Sequence, residues 1–146
     1  MNVALGADHA GVAAKEELKK LLQALGHKVV DVGTTGEQSC DYPDYAAQVA
    51  RKVAGGECER GVLVCGTGIG MSIAANKVPG IRAALICDEK GAELSRQHND
   101  ANVFCAGSRI TPVVKIAECL KVWLQTPFEG GRHQNRLTKI TAIENC

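Results

Sequence analysis

Short apolar runs alternate along the chain with longer stretches in which apolar residues recur every three or four positions. Asn2–Ala7, Lys28–Gly33, Gly61–Cys65, Ile81–Ile86 and Asn102–Ala106 have the length and composition of buried strands. Leu18, Leu21, Leu22 and Leu25 mark one face of a helix that Gly26 closes. Tyr45, Val49 and Val53 mark a second helix, entered at Tyr42-Pro43 and ended by Gly55-Gly56. A small-residue segment after Gly70 supplies a third, Asp88 caps a fourth that runs towards His98, and Thr111-Pro112 opens a fifth along Val113, Ile116, Leu120 and Leu124. Asp8–Gly11 reads as a turn and Thr34–Asp41 as a loop. The polar segment Glu129–Arg136 precedes a last short helix.

This alternation predicts an α/β domain: a three-layer α/β/α sandwich around a five-stranded parallel sheet, with residues 1–146 as one domain. In such sheets ligands gather beyond the carboxyl ends of the strands, where strand order reverses. The polar residues follow that rule. Asp8-His9 come after the first strand, Cys65-Gly66-Thr67 after the third, Asp88 after the fourth and Gly107-Ser108-Arg109 after the fifth. If the first and third strands are neighbours, Asp8, His9, Cys65 and Thr67 converge in one crevice.

The stretch Cys65-Gly66-Thr67-Gly68-Ile69-Gly70 stands out. A strand that feeds a glycine turn and then a helix start offers main-chain N–H groups to an anion. The loop lacks the lysine-serine ending of a Walker loop and is a poor dinucleotide fingerprint. Cys65 reads either as a small hydrophobe at a strand end or as a thiolate held by the loop donors. His9 and His98 each read as structural or as proton carriers. Arg132 and Arg136, four apart, either form a solvated pair or grip a phosphate from one helix face.

Composition narrows the classes. The chain has 146 residues, a formal net charge of +1 and 45% hydrophobic residues, enough for a core and without the basic excess of a nucleic-acid binder. No apolar run approaches membrane-spanning length and the N-terminus lacks a signal-peptide layout, so the expected location is cytoplasmic, with no membrane partner. The seven cysteines show no C-x-x-C pair, which speaks against structural zinc and for a reducing compartment.

Several motifs together resemble a known family. They are Gly6-Ala7-Asp8-His9-Ala10-Gly11, Asp41-Tyr42-Pro43, Cys65–Gly70, Ala74-Ala75-Asn76-Lys77, Ser95–Val103, Gly107-Ser108-Arg109 and Gly130-Gly131-Arg132-His133. Across essentially the whole chain the sequence resembles the ribose-5-phosphate isomerase B type of sugar-phosphate isomerases. That group also holds allose-6-phosphate isomerases and galactose-6-phosphate isomerase subunits. The resemblance implies a Rossmann-like fold and an aldose–ketose isomerase that interconverts the five-carbon sugar phosphates D-ribose 5-phosphate and D-ribulose 5-phosphate without metal or organic cofactor. It implies that Cys65 moves a proton between C2 and C1, that His98 assists ring opening, and that the amides of Gly66, Thr67, Gly68, Ile69 and Gly70 hold the enediolate, with the Thr67 side chain near the reacting oxygens. It further implies that Asp8, His9 and Asn99 bind the sugar and Arg109, Arg132 and Arg136 its phosphate. The family forms homodimers or homotetramers with shared active sites, so His98, Asn99 and Arg109 can come from the partner. One branch uses a glutamate just after the glycine loop as base. Here that position is Met71, which places the chain with the cysteine branch. Rival readings are a hexose-phosphate isomerase of the same family, a non-catalytic sugar-phosphate sensor, and a cysteine-based transferase.

Overall fold

The computed structural model describes residues 1–36 and 38–146; Glu37, inside the expected Thr34–Asp41 loop, lies outside the described residues. Five strands, β1 (Asn2–Ala7), β2 (Lys28–Asp31), β3 (Arg60–Cys65), β4 (Ala83–Leu85) and β5 (Val103–Gly107), form one parallel sheet in the order β2-β1-β3-β5-β4. Among the described residues six α-helices connect or follow them: α1 (Val12–Ala24), α2 (Tyr42–Ala54), α3 (Ile69–Ala75), α4 (Glu89–Asn99), α5 (Val113–Gln125) and α6 (Arg132–Glu144). The α/β/α sandwich expected from the sequence is the one found. No helix of the described residues is long and apolar enough to cross a membrane.

Strand side chains alternate between two cores, as the pleat requires. Val3, Leu5, Val62, Val64 and Phe104 pack with Leu18 and Leu22 of α1 and Ile116, Leu120 and Trp123 of α5. Ala4, Leu63, Cys65, Val103 and Cys105 pack with Val49 and Val53 of α2 and Met71 and Ala75 of α3. Cys65 therefore lies on the α2/α3 side, at the last position of β3.

The turn expected at Asp8–Gly11 is present, and two other local features differ from expectation. Asp8–Gly11 is a 3-10 turn at His9–Gly11, capped by the Asp8 carboxylate, which accepts from Ala10 N at 3.0 Å. β4 shrinks to three residues because it is an edge strand paired with β5 alone. Side chains take over its flank: Asn102 Oδ1 accepts from Arg82 N at 2.8 Å, and Asn76 Oδ1 accepts from Ala83 N at 2.8 Å. The polar segment expected ahead of a short last helix instead supplies its first turns. α6 begins at Arg132 and runs 13 residues, burying His133 and Leu137.

Candidate active site

β1 and β3 are hydrogen-bonded neighbours, with Ala7 opposite Val64, so Asp8 and Cys65 leave the sheet side by side. Asp8 N donates to Val64 O at 3.3 Å, which ties the first loop to the end of β3. The loop after β5 closes over the glycine turn: Ser108 N donates to Cys65 O and Arg109 N to Gly66 O, each at 2.9 Å. Ser108 Oγ donates to Ala10 O at 2.9 Å, joining all three loops.

Glycine is required at two of these positions by close approach. Gly68 has φ +77°, and a Cβ there would lie 2.7 Å from the Ala106 carbonyl carbon. A Cβ on Gly107 would lie 2.4 Å from Thr67 backbone atoms. The two loops thus nest backbone against backbone.

Inside this nest the Cys65 sulfur accepts from Gly68 N at 3.1 Å. Cys65 is 4% exposed, and its sulfur meets the turn's main-chain donor. Burial pushes the Cys105 thiol upward, reinforced by the nearby Cys65 sulfur, and burial likewise raises Cys58 and Cys119. Those three stay protonated packing residues. Thr67 Oγ1 accepts from Ile69 N at 3.2 Å, which leaves its O–H to donate outward. Gly70 and Met71 sit in the first turn of α3, where main-chain N–H groups lack intrahelical acceptors.

His9 Nδ1 accepts from Cys40 N at 3.2 Å, so a neutral His9 ring carries its proton on Nε2 as a donor. Arg109 is exposed, and its Cδ lies 3.3 Å from where a Gly66 Cβ would stand. Tyr42, at the start of α2, packs its ring against Gly70, where a Cβ would meet it at 2.4 Å. The helix-entrance role of Tyr42-Pro43 hid this wall of the loop from the sequence reading.

Asp8, His9, Cys65, Gly66, Thr67, Gly68, Ile69, Gly70 and Arg109 thus share the carboxyl edge of the sheet. His98, Asn99, Arg132 and Arg136 do not. α4 runs back from the end of β4 and stops at Asn99, just before β5 starts at Val103, whereas Cys65 is in register with Gly107 at the far end of β5. Four strand steps of about 3.3 Å separate those ends, roughly 13 Å. His98 therefore stands at the amino edge, and Arg109 is parted from the two residues with which the resemblance grouped it.

The amino-edge group is held by side chains. Asp100 caps α4 in the left-handed region at φ 45°, and its carboxylate accepts from Arg96 Nη1 at 2.7 Å. Arg96 also donates to Ala101 O and Thr126 O, at 2.7 and 3.2 Å. The His98 ring stacks on His133 with centroids 4.2 Å apart. Arg132 and Arg136 are exposed on α6. A groove of about 680 Å³ adjoins this group, lined among others by Asn99, Asn76, Ile140 and Ile143.

Comparison with known proteins places the chain. The sequence profile of the Ribose/Galactose Isomerase family matches residues 3–140. Ribose-5-phosphate isomerase B of Escherichia coli is 49% identical over 142 residues, covering 97% of this chain and 95% of that protein. A solved Clostridium thermocellum ribose-5-phosphate isomerase B superimposes with a TM-score of 0.98 at 46% identity, covering 99% of this chain and 98% of the other. The Mycoplasma genitalium enzyme, solved with bound ribulose 5-phosphate, gives 0.96 at 41% identity, over 99% and 96% of the two chains. With nearly its full length matched by the profile and close to half its residues shared with the E. coli protein, the chain belongs to the ribose/galactose isomerase family.

Proposed function

We propose that this protein is an aldose–ketose isomerase that interconverts D-ribose 5-phosphate and D-ribulose 5-phosphate, with residues 1–146 as its single catalytic domain. The observation that carries the reading is the Cys65 sulfur under the glycine turn, accepting from Gly68 N at 3.1 Å. A relative 49% identical is named for this activity, and another, 41% identical, was solved with bound ribulose 5-phosphate. All seven cysteines are free, in keeping with a cytoplasmic enzyme.

In this reading the Cys65 thiolate takes the C2 proton of the open-chain aldose and returns it to C1. Between the two transfers the charge rests on O1 and O2, and the hydroxyl proton passes from O2 to O1. The preorganised N–H groups of Gly66–Gly70 stabilise that enediolate, and the Thr67 hydroxyl donates to one of its oxygens. Asp8 and the Nε2–H of His9 orient the hydroxyls, with Arg109 at the crevice mouth. His98 protonates the furanose ring oxygen as the ring opens, Asn99 binds a sugar oxygen, and Arg132 with Arg136 holds the phosphate.

Because His98 stands at the opposite sheet edge from Cys65, the reading requires two copies, each giving its carboxyl edge to the other's amino edge about a two-fold axis. Exposed apolar side chains beside the two halves favour such an assembly: Ile69 (51%) and Ile73 (57%) near the glycine turn, and Ile143 (72%) at the amino-edge groove.

The test is deuterium exchange. Incubated with ribose 5-phosphate in D2O, the pure protein is expected to yield ribulose 5-phosphate labelled at C1 and aldose labelled at C2. A protein that binds the sugar without exchanging that hydrogen would be a sensor, and the proposal would fail. Faster turnover of allose 6-phosphate in the same assay would reassign the substrate to the hexose class.

A further inference from the structure

His98, Glu129 and His133 each offer a ligand atom, and these atoms lie within 4.8 Å of one another. They come from the last turn of α4, the connection before α6 and the first turn of α6. The main chain fixes their spacing. Glu129 N donates to Gln97 O at 3.1 Å, pinning the connection to α4, and His133 N donates to Gly130 O at 3.1 Å as α6 begins. His133 is 6% exposed and its Nε2 faces the Glu129 carboxylate at 3.4 Å. Two imidazoles and one carboxylate with an open side form the donor set of a three-ligand zinc site. Hard cations such as magnesium prefer oxygen donors and would not choose it.

We infer that His98, Glu129 and His133 form a zinc-binding site that inhibits the enzyme by taking His98 out of the reaction. The inhibitory half rests on the proposed ring-opening role of His98; the binding half rests on the cluster alone. The ion is no cofactor in this reading. Zn²⁺ binds the lone pair of a neutral imidazole nitrogen, the same pair through which His98 would carry a proton. The ion must lie in the plane of each ring, whereas the two rings now stack with 15° between their planes. The half-buried His98 therefore turns out of the stack on binding, while the buried His133 and its Glu129 partner provide the fixed part of the site. Arg132 is the nearest cation in sequence and Arg136 lies one turn further along α6. Their charge opposes the ion and favours the sugar phosphate, so metal and substrate compete.

The test titrates Zn²⁺ into the intact protein by calorimetry, beside Glu129→Gln and His133→Asn. Glu129 is exposed and outside the proposed machinery, so Glu129→Gln keeps the fold and basal activity even if His133→Asn loosens α6. One ion per chain is expected, with affinity weaker by about tenfold or more in both variants, since each loses one ligand of three. Co²⁺ in place of Zn²⁺ should show no intense near-ultraviolet thiolate band, since no cysteine is a ligand. Unchanged affinity in Glu129→Gln, or a thiolate band, overturns the site. Zn²⁺ is further expected to inhibit isomerisation of ribose 5-phosphate, reversed by chelator and by excess substrate, at about tenfold higher zinc in Glu129→Gln. Binding at the cluster without inhibition leaves the zinc site standing and overturns the withdrawal of His98 together with its ring-opening role. An inactive protein that still binds one ion, weakened in Glu129→Gln, separates failure of the enzymatic reading from failure of the metal site.

Discussion

The two edges of the sheet are built by different means. The carboxyl edge is main-chain architecture: glycines nest the loops after β3 and β5, and N–H groups and carbonyls make the contacts that hold Cys65 in place. The amino edge is side-chain architecture: Arg96, Asp100 and the His98–His133 stack hold the end of α4 and the start of α6. A reaction that develops charge on two oxygens needs donors that do not move, which nested backbone supplies. In the proposed reaction, ring opening and phosphate capture call for proton-carrying and charged groups on reaching side chains, which helix ends can supply. A single chain keeps the two kits on opposite edges.

Substitutions can break this division. Cys65→Ser is expected to lower kcat about 10³-fold with little change in KM, because a hydroxyl is a far weaker base than a thiolate. Retained turnover would move the base elsewhere. His98→Asn is expected to slow isomerisation of ribose 5-phosphate about 10²-fold. It should nonetheless leave solvent exchange of the C1 hydrogen of ribulose 5-phosphate nearly intact, since that ketose has no ring to open. Equal loss of both rates would merge the two edges into one chemical role. Arg132→Ala with Arg136→Ala should raise KM about tenfold or more at unchanged kcat, each losing a charge-assisted contact to phosphate. Mixing the slowed Cys65→Ser and His98→Asn variants under subunit exchange should restore activity to about a quarter of wild type, as random two-fold pairing predicts for shared sites. No recovery would mean that each chain works alone.

The smallest expected effect concerns the anchoring of β2 to α1. Burial raises the Asp31 carboxyl, but hydrogen bonds from Lys15, Lys19 and Gly33 N outweigh it and hold the group below its ordinary value. Lys15, fully buried, is raised against its own burial by Asp31 and Glu16. Asp31 is protonated more readily unfolded than folded. Its stabilisation is therefore complete above the ordinary carboxylate value of about 4 and lost as pH falls through the folded value. Melting temperature measured against pH should show an acid decline that flattens in Asp31→Asn. Isomerase activity of that variant at neutral pH should be preserved, because neither Lys15 nor Asp31 is among the side chains of the proposed site.

Much of this was legible along the chain. The strand–glycine turn–helix order put Cys65 at a strand end, and the neighbouring first and third strands brought Asp8 and His9 to it. The cap role of Asp88 followed from local chemistry, and its carboxylate accepts from Gly91 N at 2.6 Å. The start of α6 is not legible in the sequence because Arg, His, Gln and Asn look like loop in one dimension, while in the fold His133 and Leu137 bury one face of that segment. Nothing local ties Glu129 to His98 about thirty residues earlier. Only the packing of α6 against α4 does.

By itself, then, the sequence determined the α/β sandwich, the loop that carries the thiol and the family, because hydrophobic period, glycine placement and motif spacing are local properties. Tertiary structure alone decided which candidate residues meet. The direction in which each helix returns across the sheet sends Cys65 and His98 to opposite edges, and no one-dimensional spacing encodes that separation.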